Sequence, residues 1–428
     1  MKVDQPVRVA ATANEDAVVR SSGWLVAGVV AAGFVLIAIS HQVGRWLQAR
    51  GYRMQVNAPP LTGNIDASAS ARGLAALALG AAGIARADYL AERLTWRRLL
   101  LWSFVGALAW AAALAWWDGA SGFTRSPTSG VDYLQALPFV GDAPGAFLRG
   151  FVGAIDLFPS HVRAHPPGLV LTLWAMGRVG MSGAPWVAAL EVVVGASSVP
   201  AVLLAIRELR GPGTARRAAP FLVFAPFAVF WSSGDAVFMG VGAWAVTLMT
   251  LATGREGRRS DVLALSGGLL AGLGLLLSYG LILLGVLPIA VAIHRRRTRT
   301  LILAAIPVLA WFAAAAWAGF WWFDGLAATR REYAESLARV RPYWYFLVAD
   351  LAALAIALGP AIWVALARQR GRVALLVTGG AMLAVVVADV SGLSKGEVER
   401  IWLPFMPWLM VAAGAAFTSR TTRRRWLT

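Results

Sequence analysis

The chain of 428 residues contains no cysteine and only four histidines. Without cysteine it can form no disulfide bond, hold no cysteine-ligated metal and use no thiolate nucleophile. Charged residues are also scarce, at 14% of the chain, whereas soluble domains contain about 25%. So few charges cannot cover the surface of a soluble protein of this length, and the composition therefore argues against a soluble enzyme.

A motif for binding a nucleotide is missing as well. The glycine-rich stretch GGLLAGLGLLL at 267–277 lacks the lysine and the strand–loop–helix context of a phosphate-binding loop. The sequence therefore gives no indication of a nucleotide-activated substrate.

What the chain does have is hydrophobic sequence, which makes up 58% of its residues. The apolar residues form runs of about 16 to 24 residues, which is typical of an all-α protein that crosses a membrane many times. The runs lie near 23–40, 73–91, 98–117, 166–181, 185–206, 218–232, 236–253, 262–277, 278–293, 299–322, 345–367, 373–390 and 400–417.

The basic loops predict how these runs are oriented. If every run crossed the bilayer, the loops 207–217 and 294–300 would lie on opposite sides, although both are rich in arginine and such loops collect in the cytoplasm. The conflict disappears if the run 166–181 does not cross. That run is short, begins with Pro-Pro-Gly and contains Arg178. We therefore predict twelve membrane spans, an outer juxtamembrane helix and two cytoplasmic termini.

The same topology explains the net charge of +17. The predicted cytoplasmic segments hold 25 of the 39 Lys and Arg residues but only 8 of the 22 Asp and Glu residues. Basic cytoplasmic loops account for this charge, so we predict the lipid bilayer as a partner and no nucleic acid.

Carboxylates gather on the predicted outer side of the membrane. Charged groups within spans are costly and usually face a cavity, so together they predict an aqueous site near the outer surface. They are Asp118, Asp132, Asp142 and Asp156 in the loop 118–165, Glu191, Asp235, Asp350 and Asp389 in spans, and Glu397 and Glu399 beside Arg400.

The segment FPSHVRAHPPGLVLTLW at 158–174 leads from this loop into the run that does not cross. Its histidines, His161 and His165, have the i,i+4 spacing of two metal ligands on a helix. The prolines that follow favour an extended segment instead, with the histidines in a structural or substrate-contacting role. We therefore predict no metal ligand and no cofactor, and leave dependence on a divalent metal open.

Four motifs follow one another along the chain: VDYL with Asp132, the His-Pro-Pro segment 165–167, FWSSGDAVFMG with Asp235, and GEVERIWLPFMPWL at 396–409. This order resembles the GT-C superfamily of polyprenyl-phosphate-dependent glycosyltransferases, especially the protein O-mannosyltransferases and the aminoarabinose transferases of lipid A. The resemblance covers 98–417, and it implies that the His-Pro-Pro segment is a juxtamembrane helix.

The resemblance also implies an organisation and a reaction. Residues 1–97 would add a cytoplasmic tail and two extra spans, 98–417 would form the transferase core with its outer catalytic loop at 118–184, and 418–428 would be a basic cytoplasmic tail. The donor would be a sugar on a polyprenyl phosphate. The acceptor, which the resemblance does not identify, would be a glycan, a lipid or a protein outside the cell membrane.

Roles for individual residues follow from the matching motifs. Asp132 would be the general base, although Tyr133 stands where the family has Glu, so Asp118, Asp142 and Asp156 remain alternatives. Asp235 would hold the acceptor or orient the loop of Asp132. The candidates for binding the donor, chiefly its phosphate, are Arg163, His165, Arg341, Tyr343, Glu397, Glu399 and Arg400.

Two other classes of protein share part of this pattern. A transporter or lipid-sugar flippase would also carry carboxylates within its spans, but it would be expected to have related halves, and the sequence shows no convincing repeat. A membrane scaffold without catalysis is the third possibility, and the change from Asp-Glu to Asp-Tyr favours it.

Overall fold

The structure, a computed structural model, describes residues 23–52, 54, 61 and 70–427. Throughout these residues the chain forms helices joined by turns, and none of them lies in a β-strand. The predicted all-α class is thus confirmed. The predicted cytoplasmic tail at 1–22 lies outside the described residues.

Eight helices of the described chain are long and apolar enough to cross a membrane. They are α1 (Gly23–Ala49), α2 (Ala71–Arg93), α3 (Trp96–Ala115, continued by a 3-10 turn to Asp118), α9 (Ala184–Val223), α10 (Gly234–Thr253), α11 (Gly257–Leu277), α13 (Thr298–Trp317) and α17 (Arg372–Val390).

The remaining helices are shorter. They are α4 (Ala120–Thr128), α5 (Leu137–Val140), α6 (Pro144–Gly150), α7 (Ser160–Arg163), α8 (Gly168–Arg178), α12 (Val286–His294), α14 (Trp322–Glu335), α15 (Tyr343–Leu358), α16 (Pro360–Arg368), α18 (Val398–Ile401), α19 (Met406–Leu409), α20 (Val411–Ala416) and α21 (Arg420–Leu427). Short 3-10 helices lie at Tyr133–Ala136, Ile155–Leu157, Pro226–Phe230, Tyr279–Gly285 and Leu337–Val340.

The long helices expose apolar side chains that a soluble protein would bury. In α13 the side chains of Ile302, Ile306 and Leu309 lie at the surface, and Trp317 is 92% exposed. A helix that presents such residues outward needs an apolar surrounding. The chain is therefore embedded in a membrane, as its composition predicts.

Helix α8 is the element that the sequence predicts not to cross. It has eleven residues and is therefore about 16 Å long, roughly half the thickness of the hydrocarbon core. Pro166 and Pro167 precede it, and both lack the backbone N–H of an ongoing helix.

Two glycine–proline pairs interrupt helices, one between two predicted runs and one inside a single predicted run. In α9, Gly211 has φ +81° and is followed by Pro212, so two helical segments meet there. They carry the predicted runs 185–206 and 218–232, the second only as far as Val223. The predicted run 345–367 is also broken, because Gly359 has φ +78° and Pro360 starts α16. Helices α15 and α16 are bent by 100° at this point.

The central helices pack closely because their glycines face the backbone of the neighbouring helix. A Cβ on Gly240 of α10 would lie 2.2 Å from the carbonyl oxygen of Val194 in α9, and one on Gly268 of α11 would lie 2.1 Å from that of Ala304 in α13. Only glycine fits at such distances, and close backbone approach is the usual way in which membrane helices associate.

Basic residues meet at one end of the bundle, which we call the basic end. Here Glu208 accepts hydrogen bonds from Arg255 and Arg295, both at 3.0 Å. The predicted tail contributes helix α21, whose Arg423 is buried and donates to Asp88 of α2 at 2.6 Å. Asp88, which interrupts the apolar run 73–91, is thus paired with the far end of the chain.

Candidate functional site

The carboxylate of Asp132 lies at the opposite end of the bundle and is 1% exposed. Asp132 caps the 3-10 turn Tyr133–Ala136, with its Oδ1 accepting from the backbone N–H of Tyr133 at 2.7 Å. Its Oδ2 accepts from the hydroxyl of Ser126 at 3.0 Å. Because the turn and helix α4 both donate to it, the carboxylate is held in one orientation.

His161 lies between Asp132 and Arg400, a residue of the late Glu-Arg motif. Its backbone N–H donates to the carbonyl of Val131 at 3.0 Å, which fixes α7 beside the Asp132 loop. Nη2 of Arg400 lies 3.1 Å from Nε2 of His161, and Nδ1 lies 3.3 Å from Oδ2 of Asp132. Arginine can only donate, so Nε2 accepts and the imidazole proton is on Nδ1, where it donates to Asp132.

The guanidinium of Arg400 contacts several members of the site. Its Nη1 donates to Oδ2 of Asp235 at 2.8 Å, and its Nη2 also contacts the carboxylate of Glu397. Asp235 lies in the first turn of α10, where Ser233 is extended and ends the preceding segment. We call Asp132, His161, Asp235, Glu397 and Arg400 the acid cluster.

Two carboxylates of the acid cluster, Asp235 and Glu397, share the guanidinium of Arg400, and the third, Asp132, is linked to it through His161. Burial by itself would raise the pKa of the Glu397 carboxyl, but Arg400 and then Arg341 outweigh it and lower this pKa. Arg341 Nη2 lies 3.8 Å from Glu397. Glu397 therefore lies between two arginines, and at 41% side-chain exposure it is the most accessible carboxylate of the cluster.

Tyr133 and His165 form the wall beside Asp132. Nδ1 of His165 lies 2.8 Å from the carbonyl oxygen of His161 and 2.9 Å from the hydroxyl of Tyr133. Burial lowers the pKa of His165 to about 4, so its ring is neutral at pH 7. It offers hydrogen bonds to a ligand but no positive charge, which weakens its predicted role toward phosphate.

Helix α10 supports this wall through Gly234. A Cβ at this position would lie 2.8 Å from Cε2 of Tyr133 and 3.0 Å from a methyl group of Leu169. Tyr133 can therefore rest on the start of α10 only because residue 234 has no side chain.

The other predicted site residues lie around the cluster and not within it. Arg163 donates to Glu332 at 3.2 Å, on helix α14. The guanidinium of Arg341 donates to the carbonyl of Met54 at 3.0 Å and to that of Lys395, and the hydroxyl of Tyr343 donates to the carbonyl of Val390 at 2.6 Å.

Glu399 lies on α18 next to Arg400, and its pKa is raised chiefly by burial. The three alternatives to Asp132 lie apart from the acid cluster. Asp118 pairs with Arg125 at 3.0 Å, Asp142 is 94% exposed and pairs with Arg178, and Asp156 is exposed. Of the four aspartates considered for the base, Asp132 is therefore the one that belongs to the acid cluster.

The sequence reasoning gave His161 no specific role in the site, although it bridges Asp132 and Arg400. Its position two residues before Arg163, in a segment already assigned to the site, was the available signal. Ser126 carried no motif that would place it beside Asp132, whereas Glu191 was among the carboxylates from which the sequence predicts an outer site. Within the described residues, no group of three or more His, Asp or Glu side chains has the arrangement of a metal site.

Comparison with known proteins returns no match: neither a protein-family model, nor a characterised protein, nor a solved structure is significantly similar to this chain. The function therefore has to be inferred from the acid cluster and its surroundings.

Proposed function

We propose that the chain is a membrane glycosyltransferase that moves a sugar from a polyprenyl-phosphate donor to a hydroxyl acceptor. The observation that carries this proposal is the convergence of segments far apart in sequence. Each of four segments contributes one residue. The loop 118–165 contributes Asp132, and the segment before His-Pro-Pro contributes His161. FWSSGDAVFMG contributes Asp235, and the late Glu-Arg motif contributes Arg400. The four side chains form one hydrogen-bonded cluster.

Asp132 is proposed as the general base. It would take the proton of the acceptor hydroxyl while that oxygen attacks the anomeric carbon and the bond from this carbon to the phosphate oxygen breaks. The products are the glycosylated acceptor and the polyprenyl phosphate. His161 would keep the carboxylate aimed at the acceptor, since its Nδ1–H donates to Oδ2 of Asp132.

The lipid phosphate would bind where Glu397 now lies. Arg400 and Arg341 approach this carboxylate from two sides, and guanidinium groups suit phosphate as well as carboxylate. A phosphate that displaces the accessible Glu397 side chain would gain both arginines, which then stabilise the charge of the departing group.

A transfer assay tests the proposal directly. The purified protein is incubated with a panel of polyprenyl-phosphate-linked hexoses and pentoses, and both sugar transfer and donor hydrolysis are measured. Asp132→Asn should lower turnover by at least about 100-fold, as loss of a general base does. Asp142→Asn, in the same loop but exposed, is the matched control and should keep wild-type turnover. Equal turnover in the two variants would refute the role of Asp132.

We also propose twelve membrane passes, with the acid cluster at the outer face and both termini in the cytoplasm. The basic end lies opposite the acid cluster, and the break at Gly211, the bent pair α15–α16 and the short apolar helices Tyr279–His294 and Met406–Ala416 supply the passes beyond the eight long helices. Basic segments favour the cytoplasmic side.

Cysteine labelling of this cysteine-free chain tests the orientation. Ser182→Cys suits it because Ser182 is exposed, whereas Gly183 has φ +88° and would be strained by a side chain. An impermeant thiol reagent should label Ser182→Cys from outside and Arg258→Cys, at the basic end, only after the membrane is opened. The reverse pattern would contradict the orientation.

One observation favours a second function, that of a transporter or lipid-sugar flippase. Helices α15 and α16 are bent by 100° at Gly359, and broken helices are common at transporter binding sites. Movement of polyprenyl-phosphate sugar across proteoliposomes without any sugar transfer would select this function over the transferase.

A further inference from the structure

Glu191 is a buried carboxyl that the proposed mechanism does not use. It is 1% exposed, and neither of its oxygens has a hydrogen-bond partner. It lies seven residues into α9, about 10 Å from the start of the helix. No ion pair reaches it from the described part of the chain.

The neighbours of Glu191 belong to the acid cluster. Glu191 lies one turn before Gly195 in α9, and a Cβ on Gly195 would lie 3.1 Å from the Cβ of Ala236, next to Asp235, and 3.4 Å from Cγ of Trp231. The start of α10 that it faces also supports Tyr133, next to Asp132. Trp231, four residues before Asp235, has a fully buried indole N–H without a partner, and so does Trp402, two residues after Arg400. Unpartnered acceptors and unpartnered donors are thus buried in the segments that build the site.

An unpartnered carboxyl in the interior is costly, because it loses the hydrogen bonds that water gave it. Native structures pair nearly all such groups, so an unpartnered carboxyl beside a cluster of charged side chains calls for a functional explanation. Among the described residues, no hydrogen bond or ion pair offsets the cost of burying Glu191.

We propose that Glu191 binds the transferred sugar, with its carboxyl oxygens accepting hydrogen bonds from sugar hydroxyls at the base of the acid cluster. This inference rests on the proposed transferase function and deepens it. A phosphate is a poor occupant here, because Asp132 and Asp235 would repel it, whereas neutral hydroxyls donate to all three carboxyls. The indole N–H groups of Trp231 and Trp402 provide donors for the sugar oxygens.

The first test is the thermal stability of Glu191→Leu in detergent. Leucine fills a similar volume and removes the unpartnered oxygens, so the melting temperature should stay equal or rise if the carboxyl serves a ligand. A fall of several degrees would show that Glu191 stabilises the fold, and would overturn the inference whatever the protein transfers.

The second test compares complete polyprenyl-phosphate-linked hexoses with donors that lack one hydroxyl each. Wild type should use one of the deoxy donors about 10- to 100-fold less well in kcat/KM, because removing that hydroxyl leaves the carboxyl unpaired again. Glu191→Leu should use the complete and the deoxy donor equally, and Glu191→Gln, which keeps one acceptor oxygen, should retain part of the discrimination.

Ser198→Ala is the matched control for these measurements. Ser198 lies on the same helix, two turns further on, and its hydroxyl is also buried without a partner. Its replacement should leave the discrimination at the wild-type value. Undiminished discrimination in Glu191→Leu would overturn the inference while the transferase function stands. If wild type uses none of the donors, the proposed function fails, and the sugar ligand of Glu191 fails with it.

Discussion

Removal of Arg400 should destabilise the protein strongly, because this residue compensates the buried carboxylates of the acid cluster. The Arg400 side chain is 20% exposed and that of Asp235 is 5% exposed. Breaking a buried ion pair from one side costs about 3 to 5 kcal/mol, since the other charge stays behind without a partner. Glu397 is accessible and can be rehydrated, so it adds little. Arg400→Gln should therefore lower the free energy of unfolding by about 4 kcal/mol.

A second substitution separates this cause from a loss of packing. Asp235→Asn in the Arg400→Gln background removes the uncompensated charge, so it should recover about 2 kcal/mol instead of adding a further loss. The control is Arg163→Gln, which breaks the pair with Glu332. Arg163 is 36% exposed, and exposed pairs contribute about 1 kcal/mol or less.

The assay is reversible unfolding of the purified variants in mixed detergent, followed by the fluorescence of the chain's 20 tryptophans. The reasoning is refuted if Arg400→Gln costs no more than Arg163→Gln. It is refuted equally if Asp235→Asn lowers the stability of Arg400→Gln further.

Two more predictions concern residues on either side of the bundle. Arg423→Met should cost about 2 kcal/mol in the same assay, because it removes the hydrogen bond to the buried Asp88 and leaves only Arg420, 3.5 Å away, to compensate that charge. The exposed Arg425→Met should change stability by less than about 0.5 kcal/mol. Similar effects of the two substitutions would argue against α21 being anchored through the Arg423–Asp88 pair. For His165 the pKa is about 4 in the folded protein against a usual 6.5, so the unfolded chain binds the proton first. The contribution of neutral His165 to the free energy of unfolding should be fully present above about pH 6.5 and lost as the pH falls toward 4. Melting temperatures measured across this range should depend less steeply on pH in His165→Asn than in wild type, and parallel curves would contradict the assignment.

The structure also shows why the site needs several segments of the chain. The loop, the short helix before the prolines and the start of the last apolar stretch are each too short to fix a site alone. They contribute Asp132, His161 and Arg400, and hydrogen bonds between these residues fix the site jointly. In the proposed reaction, an entering substrate would exchange some of these bonds for its own, and the accessible Glu397 would be the member that it replaces.

The sequence by itself determined the class of protein and where to look for its site. Long apolar runs have one stable solution, helices in a membrane, because backbone groups in hydrocarbon must bond within their own segment. The prolines at 166 and 167 and the shortness of the following run predicted a helix that does not span. The motifs predicted four residues of the acid cluster, because each motif places charged groups at the end of an apolar segment. They are Asp132, Asp235, Glu397 and Arg400.

Only the tertiary structure decided which of these groups meet. Arg400 and His161 are 239 residues apart, and Arg423 and Asp88 are 335 residues apart, so no local pattern records either contact. Arg163, equally prominent in sequence, pairs with Glu332 instead, because helix α14 lies beside it. The isolation of Glu191 is likewise a property of packing: a carboxyl reads the same in the sequence whether or not a donor lies within reach.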